Sequence, residues 1–469
     1  MALEPIPLAS QSYSLSSRPA AAHQLLNCYA EKLPEGSRSP FIIKPAPGLN
    51  LFQTVGTGPI YAMETVPGFL YVVSGGYFYR LHADGSPTEN LGFIGVTDAP
   101  TIAVGSYQVV VVSPPNAYVA NHSITALHQI TTGAGNFPVD GASSVSYIDG
   151  YFAFTSMTGD YFFVSKLLDG NTFNSLDYAT SERRPDYVQH GVAHNGELWL
   201  FGQDSSVVWY NAGAANFPLR ERTGSVLEQG VGSSNTIVAL DNSLFWLGTD
   251  RIIYRSQGYQ ARRISNHAIE EVLTRYGDLR DINACGFLFE GHAFYSITMP
   301  SVPGSGRTFI YDGATQMWHE RSSAASGAGI WRVRTSVQFG PYLLLGDSAN
   351  GNLYDVYPDM GTDNGVTIPR FMVLPPIITH GQRAFMSRLE IEMEVATAGA
   401  PGTVLLDWSN DGGLTFTAPR SLSTGVAGSF KARVATTRLG SFRQRVLRIR
   451  SSGRATIYGV DVDTHTGNV

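Results

Sequence analysis

Charge is in short supply in this sequence. Asp, Glu, Lys and Arg make up 15% of its 469 residues, against roughly 25% in an ordinary globular protein. The formal net charge of −6 excludes a surface that grips nucleic acid over its whole extent. Cysteine is scarcer still: Cys28 and Cys285 lie too far apart to read as a zinc site or as a disulfide scaffold. The longest β-branched run, Val109 to Val112, is far too short to cross a bilayer, so no membrane insertion is expected. The opening Met-Ala-Leu-Glu-Pro-Ile-Pro lacks the basic and apolar regions of a signal peptide. A soluble product, made in a cytoplasm and not exported by an N-terminal signal, is expected.

Chemistry-bearing motifs are also missing. Gly56-Thr57-Gly58 and Gly230-Val231-Gly232 lack the remaining glycines and the Gly-Lys-Ser/Thr ending of a phosphate loop. There is no Gly-x-Ser-x-Gly elbow. His190 and His194 have the i, i+4 spacing of a metal pair, but the surrounding sequence reads as strand, where that step spans roughly 13 Å. No metal or other cofactor is predicted. Asp160, Asp169, Glu182 and Asp186 are numerous enough for a glycosidase pair, yet among 38 acidic residues their presence decides nothing.

What the chain has is turns and aromatics: 50 Gly, 23 Tyr and 24 Phe, the composition of an all-β protein. Apolar or alternating runs joined by tight turns recur at about 40–50 residues, the length of a four-stranded propeller blade. The turns are Gly75-Gly76, Pro114-Pro115-Asn116, Asp149-Gly150, Asn195-Gly196, Asp241-Asn242, Glu290-Gly291 and Gly340-Pro341. Asp-Gly and Asn-Gly accept positive φ at both central positions and so favour two-residue hairpins. A β-propeller over residues 61–360 is expected, with seven blades favoured and six possible; a pair of β-sandwiches is the competing architecture. Residues 1–60 carry Pro5, Pro7, Pro19, Pro34, Pro40, Pro45 and Pro47, too many for a sheet interior, and read as an extended arm over a surface or a neighbouring subunit. On that reading, removing residues 1 to about 45 leaves the propeller folded. Residues 361–469 read as a small β-sandwich-like domain with strands Ser387–Val395, Thr403–Trp408, Ser429–Val434 and Val446–Arg450. One helix is expected, Asn266 to Tyr276.

Two C-terminal features invite a functional reading. Ser409-Asn410-Asp411-Gly412-Gly413-Leu414-Thr415-Phe416 resembles the Asp-box hairpin of sialidases, in which Ser409, Asp411, Gly413, Thr415 and Phe416 shape a turn. It occurs once and outside the repeat. Lys431, Arg433, Arg438, Arg443, Arg445, Arg448, Arg450 and Arg454 form a basic run with no acidic residue, read as a docking patch for an acidic protein surface, with DNA as the alternative.

Several strings resemble one family. They are Asn27-Cys28-Tyr29-Ala30-Glu31 with Pro45-Ala46-Pro47-Gly48-Leu49, Ala179-Thr180-Ser181-Glu182 with Pro185-Asp186, and Gly196-Glu197-Leu198-Trp199-Leu200-Phe201-Gly202 with Val208-Trp209-Tyr210-Asn211. They continue through Leu240-Asp241-Asn242-Ser243-Leu244-Phe245-Trp246-Leu247-Gly248, Gly258-Tyr259 and Ile264-Ser265-Asn266-His267-Ala268-Ile269-Glu270. The last are Asp411-Gly412-Gly413, Arg438-Leu439-Gly440 and Arg445-Val446-Leu447-Arg448-Ile449-Arg450. In order and spacing they resemble the packaged-DNA stabilisation, or tail hub (nozzle), proteins of P22-like short-tailed bacteriophages. The resemblance implies a non-enzymatic virion protein of the tail. It implies a ring of six copies below the portal and adaptor, carrying fibres or spikes and a needle, and closing a channel through which double-stranded DNA passes non-specifically. Asn27, Tyr29, Pro45 and Pro47 are then candidate clasping residues of the arm.

Two other readings use the same architecture. A sialidase-like glycosidase needs several Asp-boxes and paired carboxylates on the propeller axis. A carbohydrate-binding adhesin needs exposed aromatics at loop tips, whereas most of Trp199, Trp209, Trp246, Trp318, Trp331 and Trp408 fall within strand runs, where packing is the default explanation.

Overall fold

In the computed structural model, the described residues are 3–467 except 16, 18–20, 38, 96–98, 124–125, 133–136, 181–185, 215–216, 303–305, 359, 396–402, 426–430 and 452. Nearly all regular structure is β. The tight turns take the predicted backbone: Asp149-Gly150, Asn195-Gly196 and Glu290-Gly291 all have positive φ at both positions, as does Asp241-Asn242. That geometry gives the hairpin a twist matching its strands.

Six blades are each four consecutive antiparallel strands, starting at Ile60, Thr101, Ala142, Val188, Val238 and Asn283. The ring is closed by a composite blade. Its own three strands, Val333–Phe339, Tyr342–Asp347 and Asn352–Tyr357, are completed by Gly48–Thr54. That strand pairs antiparallel to Asn352–Tyr357, with Leu49 opposite Val356 and Leu51 opposite Tyr354. Every blade-to-blade contact is a separate apolar cluster, such as Val110 and Val112 against Phe152 and Phe154, or Leu344 and Leu353 against Ile60 and Leu70. A four-stranded sheet cannot bury both faces alone, and stacking around a ring does it. Serine hydroxyls tie neighbouring inner strands together: Ser146 donates to the Gly191 carbonyl (2.8 Å) and Ser336 to that of Gly286 (2.7 Å).

The C-terminal part is a β-sandwich. One sheet runs Cys28–Lys32, Phe41–Pro45, Ala455–Thr466, Ala384–Val395, Lys431–Thr437. The other contains Arg370–Val373, Gln444–Ser451, Thr403–Ser409 and Arg420–Ser423, and is continuous with the sixth blade through Ala22–Leu26. Leu389, Ile391, Met393, Val404, Leu406, Leu447, Ile449 and Val460 fill the space between the sheets. The expected Ser429 start of one strand lies outside the described residues; the rest of that strand is Lys431–Thr437. Among the described residues the longest helix is His267–Arg275, with Asn266 capping it by accepting from the Ile269 amide at 3.0 Å.

The N-terminal region corrects the arm reading. Residues 4–54 contribute strands to the closing blade, to both sandwich sheets and to the seam between them. The prolines mislead because they sit at strand ends and edges, where a missing N–H costs nothing. Pro45 ends its strand opposite Cys28, and Pro47 presents its carbonyl to the Arg321 guanidinium at 2.8 Å. Pro19 lies outside the described residues.

Candidate functional site

The four arm residues singled out from the sequence are buried in their own chain. Asn27, fully buried and at φ +53°, donates to the carbonyls of Ser322 (3.0 Å) and Pro369 (2.8 Å) and accepts from the Ser322 amide (3.0 Å). It thereby joins the end of blade six to the first strand of the sandwich. Tyr29 packs edge-on to Phe294 and His292. These residues clasp the molecule's own two halves rather than a neighbour.

Around them lies a seam rich in buried charge. Arg321 and Arg370 are each 3% exposed. Arg370 donates to the Ala46 carbonyl at 3.0 Å, and burial lowers its pKa to about 10. Arg321 stacks over Trp331, 4.3 Å from the ring centre. Asp363 is fully buried and its carboxyl is pushed upward by burial, an effect opposed by Arg321. Beside this group, His292 is held between two carboxylates. Nδ1 lies 2.8 Å from Asp312 and Nε2 2.9 Å from Glu31. Both ring nitrogens donate when the imidazole is protonated, and the bond to Asp312, outweighing desolvation, raises its pKa. Asp312 and His292 belong to blade six and Glu31 to the N-terminal hairpin, so the imidazolium bridges the two. Sequence reasoning missed this cluster because its members are 20 and 261 positions apart.

The basic run is corrected as a one-signed patch. Arg433 pairs with Glu392 (2.6 Å) and Glu390 (3.3 Å), and Arg448 and Arg450 share Asp407 (2.8 and 2.5 Å). Lys431 stands opposite Glu394 in the ladder, and Arg454 contributes positive field at Glu290. Arg445 is buried, 4.3 Å over Phe442, donating to the Leu439 carbonyl (2.9 Å) and to Asn410 (3.0 Å), and burial lowers its pKa to about 10. Arg438 and Arg443 are exposed. The compensating acids come from adjacent strands remote in sequence, so a linear scan does not see them.

The Asp-box forms as a turn. The Ser409 hydroxyl accepts from the Gly413 amide (2.8 Å) and donates to Asp411 (2.5 Å), and Asp411 accepts from the Leu414 and Thr415 amides (both 3.0 Å). These bonds, led by that from Ser409, hold its carboxyl well below the usual range. Gly413 needs its φ of +93°. Phe416 packs under Arg448, 3.9 Å from ring centre to guanidinium.

The histidine pair and Asp186 take structural places. His190 and His194 lie on one strand, and burial alone depresses His190 to about 4. Asp186 accepts from the amides of Gln203, Asp204 and Ser205 at 2.8–2.9 Å, a loop-bracing role. Glu182 lies outside the described residues, as do Ser181 and Pro185. Among the described residues no group of three or more His, Cys, Asp or Glu is placed to hold a metal ion, and no helix is long and apolar enough to cross a membrane.

The fold is therefore a propeller joined to a sandwich through a shared sheet, with buried polar groups such as Asn27 and Arg370 at the junction. The first part of the chain matches the family model described as bacteriophage P22 Gp10, beta-propeller, over residues 16–361, and the second matches bacteriophage P22 Gp10, beta-sandwich, over residues 370–465. The chain belongs to the bacteriophage P22 Gp10 family. It is accordingly a phage structural tail protein, a virion component that assembles with other virion components. No curated protein matches it. Among solved structures it is similar to the computationally designed Ika8 protein (10% identity, TM-score 0.40, covering 76% of this chain and 99% of that one). It is also similar to the N-terminal domain of Nup159 (10%, 0.39, 74% and 99%). A third is the extracellular domain of the putative one component system BT4673 from B. thetaiotaomicron (13%, 0.37, 69% and 52%). Those likenesses carry no argument about function.

Proposed function

We propose that this chain is the tail hub, or nozzle, subunit: a non-enzymatic wall element. Copies of it, six in number, form a ring below the portal and adaptor, extend and close the DNA channel, and retain the packaged genome. The observation that carries the reading is the match of both family models, in order, over nearly the whole chain. The partners on this reading are the portal and adaptor ring above, fibre or spike and needle proteins at the periphery and tip, and double-stranded DNA passing without specific contacts. A net charge of −6 suits a conduit that must not retain phosphates. The Asp-box sits on the sandwich, away from the propeller axis, and braces its own hairpin, which gives a glycosidase reading no support. Cryo-electron microscopy of the tail tests the proposal. The expected result is this propeller–sandwich unit repeated six-fold under the adaptor, with particles lacking the chain filling and then losing their DNA. A chain found instead at the tip of a fibre, or particles that keep their DNA without it, would overturn it.

A further inference from the structure

The outer edge of Ala455–Thr466 is covered by two different neighbours. Ile457 bridges to Ile43 of the N-terminal hairpin, and Val460–Val462 pair with Glu4–Ile6. Between these stand Tyr458 and Gly459, and beside them opens a groove of about 460 Å³ walled by Pro5, Ile6, Leu8, Phe41 and Tyr458.

Glu4–Ile6 holds its seat loosely. Glu4 and Pro5 are exposed and Ile6 is only half-buried. Pro5 and Pro7 have no N–H to give to a ladder. Firm anchorage begins just beyond. Ala9 is 1% exposed, and the Ser12 amide donates to the Trp318 carbonyl at 2.6 Å, while its hydroxyl accepts from the Leu25 amide at 2.9 Å. A loosely held strand thus precedes a fixed one, with Pro7 and Leu8 as the joint, beside a groove the strand does not fill.

We infer that Glu4–Ile6 is an exchangeable strand, which in the assembled ring leaves its own edge and adds to the Val460–Val462 edge of the adjacent copy. The occupant is a second copy of this chain because the edge already specifies the sequence that pairs with it. Exchange reproduces the same register and the same contacts for Ile6 and Leu8, which face the sandwich core, so its cost is small. The inference rests on the ring reading above.

The test is a Pro5→Cys, Asp461→Cys double variant. These positions are opposite in register, and a proline fits the non-hydrogen-bonded type of pair, whose Cα separation of about 4.5 Å is within disulfide reach. The native Cys28 and Cys285 are buried. Assembled tails are oxidised, imaged and run on a denaturing gel without reductant. Exchange predicts that most chains run as covalent dimers and longer multimers. Chains running as monomers in a sample whose micrographs show the ring overturn exchange and leave the ring reading standing; no ring in the parent protein overturns both. Removal of residues 2–7 is the second arm. It is expected to leave the thermal transition in place and to weaken the ring against dilution by about tenfold or more. An unchanged dilution midpoint overturns the inference.

Discussion

His292 shows how one side chain sets a pH response. Its pKa lies above the free value of 6.5, so its stabilisation is complete below pH 6.5 and disappears as pH rises through the folded value. The charges facing it are Asp312 and Glu31, with Lys44 and Glu290 behind, and its aromatic neighbours are Tyr29 and Phe294. His190 and His319, depressed by burial to about 4 and about 3, act in the opposite sense. Folding keeps them neutral, so their contribution is full above pH 6.5 and declines on acidification. The melting temperature is therefore expected to peak near neutrality. A His292→Gln variant should flatten the alkaline limb and keep the acid limb, as followed by circular dichroism across pH 5–9 in buffers of constant ionic strength. An alkaline limb identical in the variant would remove the bridge from the account.

At the scale of elements, the strand Gly48–Thr54 matters most. Leu49 is fully buried among Tyr29, Phe294, Trp331 and Tyr354. Its truncation in Leu49→Ala is expected to cost about 2–5 kcal/mol, as for the equally buried Leu345 within the same blade. Denaturant melts of both variants check this, and a cost under about 1 kcal/mol at Leu49 would mean the ring closes without its borrowed strand. Much of the propeller was legible because a hairpin is a local object: Asp149-Gly150 and Asn195-Gly196 announce their own conformation. The seventh unit was legible only in part. Its own strands Val333–Phe339, Tyr342–Asp347 and Asn352–Tyr357 follow one another in the chain, but the fourth comes from Gly48–Thr54, nearly 300 positions away, which no local pattern reveals. The prolines argued against looking for it between residues 41 and 54. The same limit applied to Arg448 and Arg450, whose partner Asp407 is 41 and 43 residues away.

For the molecule as a whole, propeller and sandwich share a sheet through Ala22–Leu26, and Asn27 with Arg370 stitches that junction. Scanning calorimetry is expected to give one cooperative transition for both halves. Two well-separated transitions would show that the junction is not a structural weld. Residues 1 to about 45, read from sequence as an arm whose removal leaves the propeller folded, supply strands to both sandwich sheets, so their removal is incompatible with an intact sandwich.

The borrowed strand also constrains how the protein is made. Leu49 leaves the ribosome long before Val356, its ladder partner, has been translated. Through that interval the nascent chain carries a hydrophobic strand without its mate while the intervening hairpins fold behind it. Completion is a late, all-or-nothing event, and a chain interrupted before the last blade exposes an open sheet edge to every other chain in an infected cell.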